Sequence, residues 1–197
     1  MRDLVIATKN EKKLRELRRY LKGVKASVVS LNELGHSPRI IEDKNTFRGN
    51  AVKKALIVSK FTYGIVLADD SGLEVKTLKG SPGVKSARFA GPGKKDRDNN
   101  IKLLRLLEGV PPAKRCARFV CAIAIADKGR VVKVIEEYCG GRIADSIRGR
   151  YGFGYDSVFL ASGRGKTFGE LGLKVKDRMS HRSKALKKAR AFLRKYI

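Results

Sequence analysis

The sequence predicts an α/β protein, and three observations carry that expectation. Short apolar runs alternate with helical patterns up to residue 75, two long strand-like runs meet at an Asp-Lys-Gly turn within residues 116–138, and a helical pattern closes the chain. A chain of 197 residues, 42% of them hydrophobic, has enough material for one domain with a sizeable core. Residues 1–197 are therefore expected to form a single domain, with a second, antiparallel lobe drawn mainly from about 110–160.

Leu4-Val5-Ile6-Ala7 reads as a short buried strand that ends at Thr8-Lys9-Asn10. A helix is expected from about Glu11 to Lys22, because Leu14, Leu17 and Leu21 recur on one face and Lys and Arg fill the other. Gly23 is its stop. Thr8, Asn10 and Lys13 then sit where a strand gives way to a helix N-terminus, a place that collects anions; Asn10 equally suits a plain N-cap. Val24 to Leu31 is a second strand, and Asn32 to Asn45 is polar and irregular, holding His36, Pro38 and the acidic pair Glu42-Asp43. Thr46 can cap a helix from Phe47 to about Phe61, with Ala51, Ala55 and Val58 on one face and Asn50 and Lys54 sharing another.

The stretch that organises the chain is Ile65 to Val75, IVLADDSGLEV. Four apolar residues run into Asp69 and Asp70, so a buried strand should carry two carboxylates to its mouth. Asp, Ser and Gly are also ordinary turn formers, and this stretch alone does not decide between the two. If the backbone stays extended, neighbouring Asp69 and Asp70 point to opposite sides.

Leu78 to Gly93 is a loop rich in glycine and proline, with Arg88 and Phe89 as a cation and a ring inside it. A helix from about Lys95 to Glu108 aligns Ile101, Leu104 and Leu107. Cys116 to Ala126 and Arg130 to Tyr138 are strands joined as a hairpin. Gly140 to Arg150 is basic and glycine-rich, Gly152 to Asp156 is a ring-bearing tight loop, and Ser157 to Ala161 is a strand. A loop from Ser162 to Lys176 and a helix from about Ser180 complete the chain. Two glycine patterns mislead. Gly165-Lys166-Thr167 lacks the P-loop's earlier glycine, since position 160 is Leu160, and Gly152-Phe153-Gly154 is followed by a strand where a dinucleotide fingerprint requires a helix.

The net charge is +26, with 45 Lys and Arg against 19 Asp and Glu, spread along the whole chain. Such a surface attracts polyanions, so a basic nucleic-acid-binding protein is one reading; a general surface adaptation is another. No apolar run is long enough for a membrane span, and Met1 leads straight into a strand-like run without a signal peptide's apolar core, so a cytoplasmic protein is expected. The three cysteines contain no CxxC pair, and His36 and His181 have no nearby His or Cys, which argues against a zinc site.

Taken together, these motifs resemble the inosine triphosphate pyrophosphatase family, over nearly the whole chain and in the family's order. The resemblance rests on Thr8-Lys9-Asn10 with Lys13, Phe47 with Asn50-Ala51 and Lys54-Ala55, and Ala68-Asp69-Asp70-Ser71-Gly72-Leu73. It continues through Pro82-Gly83-Val84, Ser86-Ala87-Arg88 and Gly152-Phe153-Gly154-Tyr155-Asp156, and closes with Thr167, Glu170-Leu171, Lys176 and Ser180-His181-Arg182. It implies an elongated, two-lobed α/β fold with a long mixed β-sheet flanked by helices, a nucleotide cleft between the lobes, Mg²⁺ and a homodimer. It also implies hydrolysis of ITP, dITP or XTP to the nucleoside monophosphate and pyrophosphate. By position, Asp70 matches the catalytic base and a metal ligand, and Glu42 the second acidic metal position. Thr8, Lys9, Asn10, Glu11, Lys12, Lys13, Ser71, Phe153, Gly154, Tyr155, Asp156, Lys176, His181 and Arg182 match substrate contacts, and Lys54 and Arg88 are expected near the phosphates. Asp69 and Asn50 are expected to support the site. Three positions depart from the family: Lys9 replaces a small residue, Gly49 an acidic one, and Ser157 the proline after Gly-Tyr-Asp.

The chemistry fits these residue types. Mg²⁺ typically takes one or two carboxylates together with phosphate oxygens and water, and lysines neutralise a triphosphate. A 6-oxo purine offers an acceptor that His181 or Arg182 can satisfy, Phe153 can stack on the ring, and Asp156 can accept from a ring N–H. A related pyrophosphatase for modified pyrimidine nucleotides would differ in its base pocket and not in its chemistry.

Overall fold

The computed structural model describes residues 2–35, 38–93 and 95–197; His36 lies outside them. Its elements, in chain order, are β1 (Asp3–Ile6), α1 (Glu11–Leu21), β2 (Ser27–Ser30), α2 (Phe47–Ser59), β3 (Ile65–Val75) and α3 (Asp96–Leu106). They continue with β4 (Cys116–Asp127), β5 (Arg130–Ile143), β6 (Phe159–Ala161), α4 (Phe168–Met179) and α5 (His181–Tyr196). The strands form one sheet in the order β2-β1-β3-β4-β5-β6. β1 pairs in parallel with both β2 and β3, whereas β5 and β6 are antiparallel, so the sheet is mixed as expected. No helix among the described residues is long and apolar enough to cross a membrane.

The chain packs as two units. The first comprises Met1–Asp70, Cys121–Glu137 and Lys184–Ile197, and the second Ser71–Val120 and Tyr138–Ser183. In the first, Leu14, Leu17 and Leu21 of α1 join Leu4, Ile6, Ile65 and Leu67 of the strands and Ala185, Leu186, Ala189 and Leu193 of α5 in one core. β3 is buried from Ile65 through Asp70 because it lies between two neighbouring strands, which explains its unbroken apolar run. Each large side chain sealed there contributes about 1.5–3 kcal/mol. The second unit has its own core, with Leu73, Leu103, Phe119, Tyr155, Phe159 and Phe168 among its members.

Several boundaries differ from expectation, each for a local reason. β2 covers only Ser27–Ser30, because Leu31–Leu34 turns into a short 3-10 helix in which Glu33 accepts from Ser30 N. β5 runs on past the expected end at Tyr138 to Ile143, into the basic, glycine-rich stretch. Gly141 is needed there because a Cβ would collide with Leu160 O on β6. β6 is shorter than expected, starting at Phe159. The expected loop over 162–176 is helical from Phe168: Thr167 and Glu170 close a capping box, and Gly172, with φ of 74°, kinks the helix instead of ending it. Between β4 and β5, Lys128 and Gly129 both adopt positive φ, the conformation of a two-residue hairpin turn.

Candidate active site

The first cluster lies in the first unit, on β3, α2 and the loop that precedes α2. Thr46 caps α2 by accepting from Gly49 N at 3.0 Å. Asn50 and Lys54, one turn apart, are both buried, so their stripe faces the strand and not solvent. The Lys54 ammonium lies 2.6 Å from Glu42 Oε1, donates to Asp69 O at 2.7 Å, and stands 3.9 Å from Asp70 Oδ1. Asn50 Nδ2 donates to Asp70 Oδ2 at 3.0 Å, and Asn50 Oδ1 accepts from Lys44 N. On the other side of the strand, Asp69 Oδ2 pairs with Lys13 of α1 at 2.9 Å. The pleat therefore splits the two aspartates: Asp70 goes to α2 and Asp69 to α1.

The electrostatics follow from burial. Burial pushes the Asp70 carboxyl above the usual aspartate value; Lys54 and Lys13 pull it back, and the charge of Glu42 adds to the rise. Burial disfavours the Lys54 ammonium, but Asp70, Asp69 and Glu42 outweigh it and hold its pKa above the ordinary lysine value. This leaves a buried ammonium flanked by carboxylate oxygens, an arrangement suited to holding charge in a fixed place.

At the head of α1, Asn10 Oδ1 accepts from Lys12 N and Lys13 N at 3.0 and 3.1 Å, so Asn10 is an N-cap. Thr8 Oγ1 accepts from Asn10 N, and Glu11 accepts from Asn32. Lys9 and Lys12 are exposed. A pocket of about 270 Å³ is lined here by Thr8, Lys9, Glu42 and Lys54, together with Arg39 and Ile40. Arg39 is not among the sequence candidates; its only signal is a basic residue three positions before Glu42 in an irregular stretch.

The residues fit a divalent cation. Among the described residues no group of three His, Cys, Asp or Glu could form a complete cage. Glu42 and Asp70 nevertheless present hard oxygens around one lysine, the partial set Mg²⁺ takes when phosphate and water supply the rest. Gly49 clarifies the absent acid: a Cβ there would lie 2.9 Å from Lys44 Cβ, so the loop before α2 occupies the space a side chain would need.

The second cluster lies in the second unit, around the Gly152–Asp156 loop. Asp156 Oδ2 accepts from Phe153 N at 2.8 Å and from Lys176 Nζ at 2.6 Å, and the Asp156 and Lys176 side chains are only 3% and 4% exposed. The Lys176 ammonium is 4.7 Å from the Phe153 ring centroid and the Arg182 guanidinium 5.3 Å, so two cations lie against one ring. Arg182 also donates to Ser71 Oγ at 2.7 Å. His181, the first residue of α5, is buried and stacks on Phe119 at 4.7 Å.

Gly154 is gripped from α3: its N–H donates to Asp96 at 2.9 Å and its carbonyl accepts from Asn100 Nδ2 at 3.0 Å. Asn100 Nδ2 also donates to Ser157 Oγ, which gives a hydrogen-bonding role to the residue that replaces proline. Asp96 and Asn100 escape the sequence reading; two consecutive asparagines inside a helix, poor helix formers, are the available signal. Tyr155 is buried and donates to Ser86 O, and burial keeps its phenol protonated. Its ring is core, which leaves the half-buried Phe153 as the more accessible ring of the two. Arg88 is exposed at the end of the 3-10 helix Gly83–Arg88.

Comparison with known proteins shows what the whole chain resembles. The sequence profile of the Ham1 family matches residues 4–192. The dITP/XTP pyrophosphatase of Desulforamulus reducens is 51% identical over 195 residues, covering 98% of this chain and 97% of that protein. The dITP/XTP pyrophosphatase of Bacillus subtilis is 43% identical over 188 residues, 95% of each chain. The solved structure of the Staphylococcus aureus Ham1 protein superposes with a TM-score of 0.89 at 36% identity, covering 99% of this chain and 100% of that one.

Proposed function

This chain belongs to the Ham1 family, and from that membership we propose that it hydrolyses non-standard purine nucleoside triphosphates (dITP, ITP and XTP) to the nucleoside monophosphate and pyrophosphate. The observation that carries the reading is the Glu42–Lys54–Asp70 cluster, set in a chain 51% identical to a dITP/XTP pyrophosphatase. The reaction removes altered purines from the nucleotide pool. Three free cysteines fit its placement in the reducing cytoplasm.

Asp70 is the base. Its carboxylate takes a proton from the water that attacks the α-phosphorus. A bond forms between that water oxygen and the α-phosphorus, the bond from the α-phosphorus to the bridging oxygen breaks, and pyrophosphate leaves with the electron pair. Asn50 fixes the Asp70 carboxylate by donating to Oδ2, and Lys13 holds Asp69 on the other side of the strand. Lys54, with Lys9 and Arg39 of the pocket, neutralises the phosphates, and Thr8 and the head of α1 position them. A divalent cation, Mg²⁺ in this proposal, supplies further charge neutralisation when bound; Glu42 and Asp70 would hold it.

Base recognition belongs to the second cluster. Phe153 stacks on the purine, Arg182 donates to the 6-oxo group, and Asp156 accepts from the ring N–H. Lys176, buried against Asp156, holds that carboxylate in place. His181 supports the pocket through its stack on Phe119. Adenine presents a donor where hypoxanthine presents an acceptor, which would leave the guanidinium unmatched.

Pyrophosphate release in Mg²⁺ should show kcat/KM for dITP, ITP and XTP exceeding that for ATP by about 100-fold or more, as expected when a buried polar group is left unpaired by the wrong base. Equal turnover of ATP and the three 6-oxo purine substrates, or turnover confined to modified pyrimidine triphosphates, would overturn the base assignment.

A further inference from the structure

A separate basic surface lies in the first unit at the turn after α1. Gly23 there has φ of +80°, and a Cβ on it would lie 3.2 Å from Arg194 Nη2 and 3.4 Å from Arg190 Nη2. Two guanidinium groups of α5 thus converge on one backbone position that has no side chain to cover them. Arg194 Nε donates to Gly23 O over a long 3.4 Å, while Arg190 Nε is shielded from solvent without a hydrogen-bond acceptor. Lys22 and Lys25 flank the glycine and are exposed.

What marks this patch within the general +26 is two guanidinium groups held together at one backbone position without counter-charge. Other basic side chains of the same unit are paired, among them Arg2 with Asp127, Arg18 with Glu33, Lys53 with Asp43 and Lys188 with Glu137. Among the described residues, Lys22, Lys25, Arg190 and Arg194 have no carboxylate partner, and α5 carries no acidic residue along its 16 positions. Like charges held together disfavour the bare protein, and an anion that spans them recovers that cost.

We infer that the Lys22–Lys25 turn and the Arg190–Arg194 edge of α5 form a binding surface for the phosphodiester backbone of a nucleic acid. Four cations along a turn and a helix edge match a polymer with repeating charge better than a single small anion. A lipid surface is the poorer match, because the exposed apolar residues at this end of α5 are only Tyr196 and the terminal Ile197, too few to anchor a helix face in a bilayer. Tyr196 is moreover engaged, stacked on Phe192 and donating to Asp127. Contacts of these cations to phosphates carry no base sequence information.

The test uses the full chain and a fluorescent 20-nucleotide single strand, read by anisotropy across a NaCl series. Lys22→Gln, Lys25→Gln and Arg194→Gln combined should lower affinity at least 10-fold at about 0.1 M salt, and reduce the slope of log K against log salt by about 0.7 for each phosphate no longer neutralised. dITP turnover should stay at the wild-type level. A control removing equal charge from the second unit, Lys76→Gln, Lys79→Gln and Lys85→Gln, should change affinity less than about two-fold if the patch is local. Arg194→Lys, which keeps the charge, should retain most of the binding. Equal losses in patch and control variants would overturn the inference, as would failure of the wild type to bind the strand. Patch-dependent binding of phosphatidylserine vesicles without nucleic-acid binding would overturn it too.

Discussion

Asp70→Asn is expected to lower kcat/KM for dITP by about 10³–10⁴-fold while the chain still folds. Removal of a positioned base alone costs about 10²–10⁴ in rate, and Asp70 is also assigned to the cation, which places the loss toward the upper end. The fold should survive because the two shortest contacts of Lys54, to Glu42 at 2.6 Å and to Asp69 O at 2.7 Å, do not involve the Asp70 side chain. The amide oxygen can still accept from Asn50. Pyrophosphate release and a melting curve on the same preparation separate catalysis from folding. The pH dependence has a defined sign. Burial raises the Asp70 pKa above the usual aspartate value, so the base is protonated, and activity lost, as pH falls through that raised value. Increasing Mg²⁺ favours the carboxylate and should move this acid limb to lower pH. Wild-type turnover in Asp70→Asn would remove Asp70 from the reaction.

Asp156→Ala should be the most damaging change to stability. It leaves the Lys176 ammonium buried without the carboxylate now 2.6 Å away, and breaking a buried pair from one side costs about 3–5 kcal/mol. Against a typical total of about 5–15 kcal/mol, that loss should appear as a large fall in the urea midpoint. It also removes the acceptor for Phe153 N, so the loop loses its ring geometry. The double variant Asp156→Ala, Lys176→Met should be less destabilised than the sum of its single variants, because it leaves no stranded charge. A cost below about 1 kcal/mol for Asp156→Ala would show that the pair is not sealed from water.

How much of this is legible in the sequence varies by element. α1 and its N-cap are readable because leucine spacing and Asn10 act within a few residues. β3 is readable because its apolar run is continuous. α4 is hidden because Gly169 and Gly172 look like breakers, although the Thr167–Glu170 capping box overrides them. The helix face of Asn50 and Lys54 can be read from their spacing, but not that it is buried against Asp70, a residue distant in sequence. The Phe153 loop shows two rings without saying which one is core; Tyr155 is, because its hydroxyl finds Ser86 O far back in the chain. Asp96 and Asn100 grip Gly154 across more than fifty residues, a contact no local pattern announces.

The most direct measurement of the central claim is hydrolysis of dITP in ¹⁸O-labelled water, with the products resolved by ³¹P NMR or mass spectrometry. Water attack at the α-phosphorus predicts one ¹⁸O in the phosphate of dIMP and none in pyrophosphate. Label in pyrophosphate, or release of labelled inorganic phosphate with dIDP, would place the attack elsewhere and contradict the account.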